Sequence, residues 1–136
     1  MDYSSFPHGY SPETLLDEGP CLRVYRGTCE EDKRGVLIKI PSPTADISLA
    51  REVLSREFAV LDGTECSSAI RPRKYFDGYP AALVLDDPGG GPILLEPKPR
   101  DRGLALFNRY APVMATALGD VHRAGLLHCA LSPRCF

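Results

Sequence analysis

Apolar residues recur three and four apart from Ile47 through Ala50, Val53, Leu54 and Phe58 to Leu61, which predicts a helix laid along a core, started near Asp46 and closed by Gly63. Ahead of it, Leu22 and Val24 alternate with Arg23 and Tyr25, the period of a half-buried strand. A charged turn over residues 30–35 leads into the run Val36, Leu37, Ile38, Lys39, Ile40, which pairs with that strand as a hairpin before Pro41 and Pro43 stop it. Residues 70–76 and 81–85 read as two further strands around Asp77 and Gly78, with Pro72 confining the first to an edge. Residues 86–92 are a Gly- and Pro-rich connector. A second helical stripe follows in Phe107, Tyr110, Ala111, Met114, Ala117, Leu118 and Val121, ends at Gly125, and is either started or kinked by Pro112. Residues 1–14 mix Tyr3, Phe6 and Tyr10 with Pro, Ser and Gly without a period, and are expected to form a mobile arm. Strands on both sides of one helix make an α+β lobe.

Composition narrows the function classes. With 136 residues, 43% of them hydrophobic and 25% charged, the chain has the length and makeup of one globular domain, not of a disordered segment. A formal net charge of −2 gives no footprint for nucleic acid or an anionic membrane. The first twenty residues carry acids and no apolar run, so neither a signal peptide nor a span is expected, and the chain reads as cytoplasmic. Cys21, Cys29, Cys66, Cys129 and Cys135 form no C-x-x-C pair, which favours free thiols over a disulfide framework, and no metal site is expected.

Two charges stand out against the apolar pattern. Lys39 interrupts a β-branched strand, and Glu57 lies at the edge of the first helix's apolar face. Isolated burial of either would cost several kcal/mol, so an inward-facing pair is the cheaper arrangement, with snorkelling to water as the alternative. Their separation of 18 residues, across a strand, a Pro-rich link and a helix, resembles the strand lysine and helix glutamate that align nucleotide phosphates in protein kinases. Three more segments fall in the order of that family. Residues 16–25 resemble its glycine-rich loop, with Gly19 as the middle glycine and Val24 as the valine over the base. Leu83, Val84, Leu85, Asp86 and Asp87 resemble the last strand and hinge, with Leu85 as gatekeeper. Residues 121–135 resemble the helix end and catalytic loop. Together the segments resemble a bacterial Ser/Thr protein kinase of the eukaryotic type, truncated and degenerate, similar to the kinase-like modules of multidomain signalling proteins.

The resemblance implies a small lobe of five antiparallel strands and one helix over residues 15–87. Residues 88–136 would then carry hinge, long helix and vestigial catalytic loop, as one or two helices of an incomplete large lobe. It implies nucleotide contacts at Gly19, Val24, Lys39, Glu57, Leu85, Asp86 and Asp87, no certain cofactor, and at most weak ATP binding. Departures from the motifs remove the chemistry. Asp17 and Leu22 occupy the outer glycine positions of the loop, and a carboxylate beside phosphate repels it. After the motif histidine His128, Ala130 takes the place of the catalytic Asp and Cys135 that of the metal-binding Asn, and the sequence stops at Phe136 before a D-F-G triplet. No catalytic residue remains on this reading, and a pseudokinase acting in regulation or assembly is expected. The alternatives are half of a kinase completed by a partner chain, or a non-hydrolysing nucleotide-sensing switch. Without the rest of a large lobe, the helix around Phe107, Tyr110, Met114, Leu118 and Val121 is expected to be covered by a protein partner or a second copy, unless it closes on its own lobe.

Overall fold

A computed structural model describes residues 6–90 and 100–127. These residues divide into two compact units, one running to Thr64 and including Ile70–Gly89, the other joining Glu65–Ala69 to the chain from Gly90 onward.

The first unit is an antiparallel five-stranded sheet with one helix. Strands β1 (Tyr10–Glu18), β2 (Leu22–Cys29), β3 (Gly35–Pro41), β4 (Pro72–Phe76) and β5 (Ala82–Asp86) lie in the order β1-β2-β3-β5-β4. Pro72 opens edge strand β4, where a missing N–H costs the ladder nothing. β3 and β5 are central, and Ala82 to Leu85 are buried without alternation because the sheet is covered on both faces. On one face Leu37, Leu83 and Leu85 pack with Leu54 of helix α1 (Ile47–Asp62). On the other, Tyr25, Cys29, Val36, Ile38, Ile40 and Val84 pack with Phe6.

That second cover corrects the expected arm. Residues 10–14 belong to β1, and Phe6 is 8% exposed with its ring edge-on to Tyr25 at 4.9 Å. Register shifts between Pro12 and Thr14 and between Leu15 and Asp17 break the period of two, so the strand has no alternation to read.

Helix α1 starts where the Asp46 carboxylate accepts the N–H groups of Ser48 and Leu49 at 2.9 and 3.1 Å. Ala50 and Leu54 are fully buried, with Phe58 and Leu61 packed beside them. Ile47 and Val53, expected on the same face, are 47% and 39% exposed, because the buried stripe is one residue wide at each turn.

The second unit is built on helix α2 (Arg100–Arg123), which contains Pro112 in its interior. Its end is a left-handed cap: Gly125 has φ of 79°, its N–H bonds His122 O at 2.9 Å, and the Leu126 N–H bonds Val121 O at 3.1 Å. Asp120 accepts from Ser68 and Arg123, which hold its carboxyl below the usual range. Phe107 is exposed, whereas Tyr110, Met114, Leu118 and Val121 are half-buried. Among the described residues no helix is long and apolar enough to cross a membrane.

Candidate functional site

Strand pairing sets the residues of interest side by side on the helix-covered face. Asp17 pairs with Val24, Val24 with Lys39, and Lys39 with Leu83, a row across four strands. Paired residues project to the same side, so Lys39 shares the face of Leu37, Leu83 and Leu85 and points toward α1. There it meets Glu57, Nζ to Oε1 at 2.6 Å, with the two side chains 23% and 29% exposed. The spacing that suggested a pair in the sequence is satisfied because Ala50 and Leu54 dock the helix with Glu57 turned to the sheet.

The turn between β1 and β2 holds Gly19. Its N–H donates to Leu22 O at 2.9 Å and its carbonyl accepts from the buried Ser42 hydroxyl at 2.7 Å. A Cβ on Gly19 would meet nothing nearer than Leu22 O at 3.5 Å, so the turn does not require glycine. The position that does is Gly27 in β2, where a Cβ would fall 2.3 Å from Ser11 O and 3.1 Å from Ile38 Cδ1. Glycine there lets β1 close on β2; its place after the alternating residues of a strand was the available signal.

At the far end of the sheet β5 runs out through Asp86 and Asp87. The Asp87 carboxylate, 10% exposed, receives the Arg26 guanidinium at 2.7 and 3.3 Å and the Gly89 N–H at 2.9 Å. Asp86 is paired with Arg73, which also reaches Asp32 at 2.9 Å. Arg73 and then the Arg34 amide hold Asp32 well below the carboxylate range, and the two acids raise Arg73 above its ordinary value. Arg26 and Arg73 were missed in the sequence, although each, like Lys39, is a charge set into a strand.

Lys39, Glu57, Val24 and Leu85 are therefore on one face of the first unit, with Gly19 at the adjoining turn. Asp86 and Asp87 are bound to arginines. His128, Ala130 and Cys135 lie outside the described residues. Among the described residues no group of three His, Cys, Asp or Glu is placed to hold a metal ion, and Cys21, Cys29 and Cys66 are free thiols.

A solved structure carries the same architecture. PpkA-294 in its apo form, a bacterial Ser/Thr kinase fragment, matches with a TM-score of 0.66 and 18% identity, over 95% of this chain and 56% of its own. The fold is kinase-like. The chain spans about half the length of that neighbour. No protein-family model and no curated protein matches the sequence.

Proposed function

We infer that this chain is a kinase-like module that transfers no phosphate and acts in regulation or assembly within a signalling protein. The observation that carries the reading is the Lys39–Glu57 pair, formed at 2.6 Å between strand and helix. Such a pair holds an ammonium where an anionic ligand can meet it, and a structural role alone would be served as well by two apolar residues. Against that retained pair stand Ala130, which has no group to orient a hydroxyl, and Cys135, a poor ligand for hard Mg²⁺. Positioning and charge neutralisation supply nearly all of phosphoryl-transfer catalysis, and each missing group lowers the rate by about 10² to 10⁴.

ATP fits this site only in part. Lys39 would hold its phosphates, while Asp17 on the same row adds a repelling charge. The assembly role draws on α2, where Leu104 and Phe107, one turn apart on the same side of the helix, are each about two-thirds exposed (67% and 66%), an apolar surface suited to a protein partner or a second copy.

Incubation of the purified chain with labelled ATP, Mg²⁺ or Mn²⁺ and a generic protein substrate tests the reading. No label above that of Lys39→Ala is expected. Label that depends on Lys39 would overturn it.

A further inference from the structure

Along α2 the apolar residues Leu104, Phe107, Ala111, Met114, Leu118 and Val121 follow one another three, four, three, four and three apart, the spacing of a coiled-coil seam. At 1.5 Å per residue the seam runs about 26 Å. None of the helix's described residues is fully buried: Leu104 and Phe107 are mostly exposed, and the other four are half-buried. Pro112 lies off the seam, and the Ser68 hydroxyl on Asp120 ties residues 65–69 to the opposite side of the helix. Nothing in that contact blocks the seam.

The symmetry of the spacing decides what fits it. Turned by a two-fold axis so that two helices run antiparallel, Leu104 faces Val121 of the other copy, Phe107 faces Leu118 and Ala111 faces Met114, and each pairing recurs in reverse on the other half. A two-fold interface requires this reciprocity, residue for residue. Every seam residue meets an apolar one, and the smallest meets a long, adaptable thioether. Parallel alignment would instead set Phe107 against Phe107 and Ala111 against Ala111, an overpacked layer next to an empty one. The flanking Asn108, Tyr110, Ala115 and Ala117 carry no charge, so they select neither an acidic nor a basic partner.

We propose that α2 is a homodimerisation helix, by which two copies of this chain pair antiparallel along the seam from Leu104 to Val121. This rests on the assembly role read above and names its partner. A monomeric chain would end the proposal and leave the absence of phosphate transfer to be judged by its own assay.

Sedimentation equilibrium of the full chain tests it. A dimer is expected that dissociates on dilution in the range of about 1 to 100 µM, as suits a short seam. Phe107 is already exposed, so Phe107→Asp keeps the fold; it is expected to weaken the dimer about thirtyfold or more. Leu118→Lys is expected to weaken it likewise, and an equimolar mixture of the two variants to associate more tightly than either alone. Only the antiparallel register sets the new carboxylate against the new ammonium. Leu104→Asp mixed with Val121→Lys tests the same register independently, should Leu118→Lys fail to fold. A monomer at every concentration up to about 500 µM, as when another segment or a different protein covers the seam, would overturn the proposal. So would a dimer that Phe107→Asp leaves unchanged, or folded variants that neither mixture brings together.

Discussion

The two ends of one five-stranded sheet use their charges in opposite ways. At one end, Lys39 and Glu57 form a half-exposed pair beside a turn whose glycine is not required by its backbone. At the other, Arg26 and Arg73 tie Asp87, Asp86 and Asp32 into the framework where β5 leaves the sheet, and Gly27 lets two strands touch. Residues that a kinase would use for its ligand occur at both ends. Those of the first lie on the face covered by α1, with Lys39 on Glu57; those of the second are ion-paired to arginines.

Substitutions should therefore cost far more at the second end. Gly27→Ala is expected to lose about 3 kcal/mol in urea unfolding, since its Cβ would overlap the Ser11 carbonyl and β1 must move. A loss under about 0.5 kcal/mol would mean that β1 does not close on β2 as described. Asp87→Asn keeps the shape and the acceptor for Gly89 but removes the charge that Arg26 faces; about 2 kcal/mol should be lost. Asp32 gives a smaller, pH-dependent effect. Its folded carboxyl titrates below the ordinary aspartate value, so its contribution is complete above about pH 4 and disappears as pH falls through the lower folded value. Comparing urea midpoints at pH 7 and pH 3, Asp32→Asn should show a smaller acid loss than the parent chain, and an equal loss would break the assignment to the Arg73 contact. At the first end, Gly19→Ala should change stability by no more than about 0.5 kcal/mol, as expected for an unstrained turn with room for a methyl group.

How much of this was legible in the sequence depended on the range of the interaction. The period of α1 and the apolar run of β3 announced themselves locally, and Lys39 with Glu57 could be matched because each broke an apolar pattern at a recognisable spacing. Pro72 marked the edge of the sheet for the same local reason. Strand β1 was hidden because two register shifts erase its alternation, and Pro112 was ambiguous because a proline can either open a helix or lie within one. The ion pairs of Asp86 and Asp87 were hidden for another cause. Asp87 finds Arg26 at a separation of 61 residues, through β2-β3-β5 pairing that the composition of neither segment reveals. Acids near a connector therefore give no local sign of the arginines they meet.

Lys39 and Glu57 act as a unit across strand and helix. A double-mutant cycle of Lys39→Met and Glu57→Gln, read by urea unfolding, tests it most directly. A coupling of about 1 kcal/mol is expected for a half-exposed, hydrogen-bonded pair, with each single change costing more than its share of the double change. Additive effects within about 0.3 kcal/mol would contradict it, because two side chains that do not meet have no shared energy to lose.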